Sequence, residues 1–232
     1  MTPYEPLAAR TPAATTHRDA VRFVALHNAV RRDLVRLVRV LGEPVTAVRR
    51  AALSQHVGFL LDQLQDCHVL LDRAIGPALT RRQPDLAERV EGLERAHREL
   101  AGRALLVRED AQLWRRTGDA ADRNTLRDSV AGFTADLEQV IELDHELLGR
   151  ACDELAVADW VQTDRWMATR RRPTVLARRL FWLLDELDAA QRAALLDRTP
   201  RAAMWVLRNG FSGAYNRSSY LMWTGGGNGP AV

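Results

Sequence analysis

The sequence predicts an all-α protein, built as an up-down-up-down four-helix bundle with a C-terminal helical extension. Apolar residues recur at helical spacing through four segments of roughly 23 to 34 residues each. Short polar or Pro- and Gly-containing breaks separate these segments. No segment alternates between apolar and polar residues as a half-buried strand would. Long helices joined by short breaks are typical of an antiparallel bundle.

The first two helices have recognisable ends. The first predicted helix runs from about residue 18 to about residue 41 and is stopped by the Gly-Glu-Pro break at 42–44. Thr46 is placed to cap the second helix, because a threonine hydroxyl accepts hydrogen bonds from the first free backbone amides. The second helix then extends to about Leu79.

Two further long helices complete the bundle. The third predicted helix covers about residues 86–114, and the fourth covers about residues 124–155 after a polar turn. Residues 17–155 therefore form the predicted bundle domain, and residues 1–16, which are rich in Pro and Ala, form a flexible N-terminus.

The C-terminal part differs in composition. Residues 156–224 are predicted to form a small Trp-rich helical cap, with short helices starting near Pro173, after Asp188 and at Pro200, and residues 225–232 form a flexible Gly-rich tail. Five of the six tryptophans lie beyond residue 155, and they indicate packing against the bundle or, alternatively, a binding surface. These five are Trp160, Trp166, Trp182, Trp205 and Trp223.

The charge pattern argues against a nucleic-acid partner. The chain has 33 basic residues, all of them arginine, and 30 acidic residues, for a formal net charge of +3. Acidic residues are interleaved with the arginines, as on ion-paired helix faces. The densest basic run, at 170–172, has no aromatic or Gly-rich neighbour that would favour phosphate binding over a solvated loop.

The sequence predicts a cytoplasmic protein with no membrane partner. No run of 18 or more apolar residues occurs, and the first 20 residues lack the apolar segment of a secretory signal. The two cysteines, Cys67 and Cys152, are not part of a Cys-x-x-Cys motif and are expected to be reduced thiols.

Several polar residues share the apolar faces of the predicted helices. At 100° per residue, His27, His56 and His97 fall on the apolar stripes of the first, second and third helices. Asp144 falls on the stripe of the fourth helix, and His68 lies at the edge of the second stripe. Because buried ionisable groups need partners, such a cluster indicates mutual pairing or a functional pocket.

These stretches resemble the hemerythrin-like (HHE) family in its actinobacterial form. The resemblance rests on FVALHNAVRRDL (23–34), FLLDQLQDCHVLLDRAIGPAL (59–79), LERAHREL (93–100) and the VIELDHELL region (140–148). The segment VLARRLFWLLDELDAAQRAALLDRTP (175–200) resembles the family's C-terminal extension. The resemblance implies a four-helix bundle that holds two iron ions between its helices.

The resemblance also implies where the iron ligands would lie. The His of the family's first helix corresponds to His27, and that of the third helix corresponds to His97. The His-and-carboxylate pair of the second helix, aligned on the Ile-Gly-Pro segment at 75–77, corresponds to Cys67 and Leu71. A one-residue shift would instead select His68 and Asp72.

The fourth helix completes this comparison. Its His-and-carboxylate pair corresponds to Val140 and Asp144. Apolar residues thus replace ligands at Leu71 and Val140, so the sequence predicts a degenerate di-iron site and a metal-free interior. The alternative is one retained iron ion held by His27, His97 and Asp144, a set of two histidines and one carboxylate.

The leading functional prediction is a pocket for a small apolar molecule, with metal-independent acid–base catalysis of an isomerase, cyclase or lyase type in specialised metabolism. In this hypothesis Asp144 orients one imidazole while the other moves a proton. The predicted catalytic residues are His27, His97 and Asp144, and the predicted pocket residues are His56, Cys67, His68, Leu71 and Val140.

Two alternatives remain at this point. One is a residual iron protein that binds oxygen, nitric oxide or peroxide or takes part in iron handling. The other is a structural or interaction protein in which His27, His97 and Asp144 only hydrogen-bond one another.

Overall fold

The computed structural model describes residues 18–156, 158–161, 173–185, 187, 189–196 and 212–224. The chain is helical in this part, and no strand occurs within those ranges. The helices are α1 (Arg18–Val40), α2 (Ala47–Leu70), α3 (Gly76–Arg82), α4 (Ala87–Thr117), α5 (Ala120–Glu154), α6 (Pro173–Leu184), α7 (Ala189–Leu196) and α8 (Ser212–Trp223). A π-helical turn, Leu71–Ile75, joins α2 to α3, and a 3-10 turn, Pro84–Leu86, precedes α4.

The helix boundaries follow the capping residues. Thr46 caps α2, and its hydroxyl accepts a hydrogen bond from the Arg49 amide at 3.3 Å, as predicted. Gly118 ends α4 in the left-handed region with a φ of 75°, which a glycine adopts without strain. Because that turn is so short, α5 begins at Ala120, four residues before the predicted start near Asn124.

The four longest helices pack around one apolar core. α1 contacts α2 and α5, and α4 contacts α2 and α5. Each of these helices places large side chains at the centre, where they are 0 or 1% exposed. This core includes Leu26, Leu34, Leu37, Leu53, Leu60, Trp114, Leu126 and Leu137.

One close contact positions the end of the second helix. Gly76 begins α3 directly against α4, where a Cβ atom would come within 2.9 Å of the Val90 side chain. A glycine at this position therefore allows the π-helical turn and α3 to approach α4 closely.

The C-terminal helices are attached to the core through the buried carboxylate of Asp33. The indole Nε1 of Trp182 on α6 donates a hydrogen bond to Asp33 Oδ2 at 2.8 Å, and His56 Nε2 on α2 donates to the same oxygen at 2.7 Å. Arg32 Nε donates to Oδ1 at 2.8 Å, while Arg32 NH1 donates to the backbone oxygen of Asp185 at 2.8 Å.

The tryptophans of this part pack as predicted where the structure describes them. Trp160 and Trp182 are buried in the core, and Trp223 packs against it. Trp166 and Trp205, the predicted helix at Pro200 and both predicted flexible termini lie outside the described residues. Within the described residues, none of the helices has the length and apolar character needed to cross a membrane.

Asp33 is expected to make stability depend on pH. Burial alone would raise the pKa of Asp33, but hydrogen bonds and charges from His56 and Arg32 outweigh it and hold this pKa far below the usual carboxyl range. A depressed folded-state pKa means that the stabilisation is complete above the unfolded value of about 3.9 and is lost as the pH falls below it.

We predict that Asp33→Ala lowers the free energy of unfolding by about 3 kcal/mol at pH 7, because it removes one partner from a buried charged network. The control Asp62→Ala breaks an exposed ion pair with Arg108 and should lower it by less than about 1 kcal/mol. Urea unfolding monitored by circular dichroism measures both. The Asp33→Ala deficit should shrink below pH of about 4; a deficit that grows there would contradict the assignment.

Candidate metal centre

Three histidines and one aspartate from four helices meet in the core. His27 lies on α1, His68 on α2, His97 on α4 and Asp144 on α5. All four side chains are buried, with exposed fractions between 0 and 3%. Because each comes from a different helix, the packing of the long helices determines the geometry of this cluster.

The two carboxylate oxygens of Asp144 have different surroundings. Its Oδ1 accepts a hydrogen bond from His97 Nε2 at 3.0 Å. Its Oδ2 lies 3.3 Å from His27 Nε2 and 3.8 Å from His68 Nε2, yet it is hydrogen-bonded to neither. His68 Nε2 is likewise buried without a hydrogen-bond partner. An unsatisfied buried polar group costs about 1 to 3 kcal/mol, so two of them side by side need an explanation.

His97 is fixed by carboxylates on both ring nitrogens. Its Nδ1 donates to Asp72 Oδ1 at 2.6 Å, and its Nε2 donates to Asp144. Burial alone would lower the pKa of His97, but these hydrogen bonds outweigh it and raise the pKa to about 9. His97 therefore holds a proton at neutral pH, and its ring stacks on that of His68 with 4.0 Å between centroids.

Unlike His97, His27 and His68 are in the neutral protonation state. Burial, followed by the charges of neighbouring histidines, lowers the pKa of His27 and that of His68 well below the usual value. Both rings are thus neutral near pH 7. With His27 Nδ1 as the donor to His145 Nε2 at 3.3 Å, the lone pair on His27 Nε2 faces Asp144.

Cys67 lies at the edge of this cluster. Its Sγ is 3.7 Å from His27 Nε2 and the side chain is buried. Burial and the charge of Asp144 raise the pKa of the Cys67 thiol, so the sulfur stays protonated at neutral pH.

The π-helical turn explains why His68, rather than an apolar residue, faces Asp144. In this turn the Gly76 amide bonds to the Leu71 oxygen, an i to i+5 connection that inserts one extra residue into the helix. An alignment carried back from the Ile-Gly-Pro segment without that insertion selects Cys67 and Leu71. The structure instead brings the shifted pair, His68 and Asp72, to the cluster.

The structure brings together most of the predicted site residues. His27, His97 and Asp144 meet as predicted, and Cys67 and His68 join them. Leu71 and Val140 are buried core residues, and Val140 lies one helical turn before Asp144 on the same face of α5.

His56 is a correction to the predicted pocket. It is buried, but it bonds to Asp33 at 2.7 Å and packs against Phe59 and Trp223. His56 precedes His68 by twelve residues, which corresponds to about 18 Å along a helix. Its apolar stripe correctly predicted burial but could not predict its height in the core.

The geometry favours a different set of ligands from the one predicted for a single ion. His97 has no free lone pair, because both of its ring nitrogens donate to carboxylates. His68 is the alternative candidate, because one potential ligand atom from each of His27, His68 and Asp144 lies within 4.8 Å of the other two. Asp72, which appeared only in the shifted alignment, and His145 were not among the predicted site residues. Two features of the sequence could have identified them: Asp72 follows His68 by four residues, and His145 directly follows Asp144.

Comparisons of the chain with protein-family models, with curated proteins and with solved structures found no match. The relation to the hemerythrin-like family therefore stays a prediction from the sequence.

We predict that His68→Leu stabilises the protein in buffer containing EDTA. The change removes an unsatisfied buried nitrogen and keeps the apolar contacts, so the free energy of unfolding should rise by about 1 kcal/mol. The matched control His56→Leu removes a buried histidine whose Nδ1 also lacks a partner but whose Nε2 bonds to Asp33. It should lower the free energy of unfolding by about 2 kcal/mol, because it takes a hydrogen bond from that buried carboxylate. Urea unfolding compares the two variants, and equal destabilisation of both would show that His68 is an ordinary core residue.

Proposed function

We propose that this protein binds one divalent transition-metal ion between its long helices through His27 Nε2, His68 Nε2 and Asp144 Oδ2. The observation that carries the proposal is the pair of buried atoms, His68 Nε2 and Asp144 Oδ2, which have no hydrogen-bond partner and face each other at 3.8 Å. An ion between them would accept both lone pairs and remove the desolvation penalty of each.

The spacing of one donor pair supports an ion rather than an organic molecule, while His68 Nε2, at 3.8 Å from Asp144 Oδ2, would have to move closer to bind the same ion. Two ligands at about 2.1 Å from a metal, at angles of 90° to 109°, are about 3.0 to 3.4 Å apart. His27 Nε2 and Asp144 Oδ2 are 3.3 Å apart. A carbon skeleton between them would need about 7 Å, two van der Waals contacts of about 3.5 Å each.

The neighbouring residues would hold the ligands in place. His97 fixes the orientation of Asp144 through Oδ1, and Asp72 fixes His97. His145 fixes the ring of His27 through Nδ1. Hydrogen-bonded neighbours of this kind keep a metal ligand in one rotamer and tautomer and raise its affinity.

The donor set favours iron as the resident ion. Two histidines and one carboxylate are typical of nonhaem Fe(II) sites, in which open coordination positions bind oxygen, nitric oxide or related small ligands. We include in the proposal an up-down four-helix bundle of the hemerythrin-like type, supported by the pairwise contacts of α1, α2, α4 and α5. We also include a cytoplasmic location, supported by the free thiols of Cys67 and Cys152.

The second candidate is the metal-free acid–base catalysis predicted from the sequence. The hydrogen-bonded chain Asp72–His97–Asp144 favours it, because such a chain can hold a proton and deliver it to a bound molecule. Acid–base catalysis is nevertheless the second candidate. His27 Nε2 and Asp144 Oδ2 are only 3.3 Å apart, so an apolar substrate has no room between them. A purely structural role is disfavoured because the two unsatisfied atoms, His68 Nε2 and Asp144 Oδ2, face each other at 3.8 Å without bonding.

We predict that the full chain, stripped with EDTA and titrated anaerobically with Fe(II) or with Co(II) as a coloured substitute, binds one ion per chain. Asp144→Asn and His68→Gln remove a ligand and should each weaken binding about a hundredfold or more. Isothermal titration calorimetry, elemental analysis and the visible absorption of Co(II) measure the stoichiometry and affinity.

His56→Gln and Asp33→Asn are the controls, because they change a buried histidine and a buried aspartate that bond to each other away from the proposed site. Both controls should bind the ion as the unmodified chain does. The proposal fails if the unmodified chain takes up no stoichiometric ion, or if the controls lose it as completely as the ligand variants.

A further inference from the structure

A groove of about 410 Å³ opens on the surface between α4 and α5. It is distinct from the buried cluster of histidines, and it is lined by Leu86, Leu93, Leu143 and Leu147 together with two arginines. Leu93 and Leu147 are buried and form its floor, while Leu143 is 45% exposed at its edge. The volume is in the range of small-molecule sites, about 300 to 1,000 Å³.

A glycine on α4 forms part of the groove wall. Gly92 lines the groove, and a Cβ atom built there would meet no other atom within 4 Å. A glycine in the middle of a helix is about 1 kcal/mol less favourable than alanine, and here the backbone conformation does not require it. The missing side chain leaves space beside the four leucines.

The mouth of the groove carries a net positive charge. Arg89 NH1 bonds to Glu146 Oε1 at 2.5 Å, which neutralises one arginine. Arg150, the second arginine of the lining, makes no ion pair with any carboxylate among the described residues. One uncompensated guanidinium therefore stands next to an apolar surface.

We propose that this groove binds the free carboxylate of an unbranched medium-chain fatty acid. The leucine-lined floor matches an aliphatic chain, and Arg150 matches a carboxylate, which a guanidinium binds in a bidentate manner. The exposed Leu143 would be covered by the chain. This inference stands apart from the proposed metal site, because the groove residues include none of its three ligands.

The test is a calorimetric titration of the full chain with decanoate below its micelle concentration, with decanol as the uncharged probe of the same length. We expect saturable binding of one decanoate per chain. Gly92→Leu fills the groove and should abolish that binding, and Arg150→Gln should weaken it about tenfold, because it removes a charge-assisted contact that is exposed to solvent. Decanol should bind to the unmodified chain about as weakly as decanoate binds to Arg150→Gln.

Gly132→Leu is the matched control, since a Cβ atom built at Gly132 on α5 would also meet no other atom within 4 Å and Gly132 does not line the groove. It should bind decanoate as the unmodified chain does. Asp144→Asn should also retain decanoate binding, which separates the groove from a carboxylate bound to a metal ion. The proposal is overturned if the unmodified chain binds no decanoate, if Gly92→Leu binds it normally, or if Asp144→Asn abolishes it.

Discussion

A single buried carboxylate, that of Asp144, is the constraint on which the candidate site depends. A fully buried carboxylate needs hydrogen bonds or charge partners, and Asp144 obtains one on only one of its oxygens, from His97. That hydrogen bond requires α4 and α5 to face each other at this height, and Asp72 on the π-helical turn then fixes the other side of the His97 ring. The remaining oxygen, Oδ2, faces the imidazoles of α1 and α2.

Asp33 shows what a purely structural carboxylate looks like in the same protein. It is as deeply buried as Asp144, but its oxygens accept hydrogen bonds from His56, Trp182 and Arg32. Those bonds stabilise the charged form and attach α6 to α1 and α2. Asp144 lacks this saturation on the side that faces His27 and His68. The difference between a saturated and a half-satisfied buried carboxylate separates a packing element from a candidate site.

The groove between α4 and α5 is likewise marked by residues that packing alone does not explain. Leu143 and Gly92 both depart from what an ordinary solvent-facing helix would carry, since one exposes apolar area and the other leaves a gap. Leu143 is the residue directly before Asp144, and Leu93 lies one turn before His97. The two helices that hold the buried carboxylate and its imidazole partner therefore also form the walls of the groove.

The helical class and most helix ends could be predicted from the sequence, because apolar periodicity and capping residues such as Thr46 are local signals. The same periodicity placed His27, His97 and Asp144 on inward faces, and the structure brings them together. Two features of the site could not be predicted from apolar periodicity. A π-helical turn adds one residue without changing the apolar pattern, so the alignment on the Ile-Gly-Pro segment favoured Cys67 and Leu71 over the shifted pair, His68 and Asp72. Periodicity also gives the face of a helix but not the height of a residue along it, which is why His56 was misplaced.

Anomalous diffraction at the cobalt edge, from crystals of the full chain grown with Co(II), would locate the bound ion directly. One strong peak per chain is expected, about 2.1 Å from His27 Nε2, His68 Nε2 and Asp144 Oδ2, with His97 still bonded to Asp144 Oδ1. A cobalt peak found elsewhere, or crystals in which His68 and Asp144 turn to bond each other with no metal peak between them, would contradict the proposed metal site.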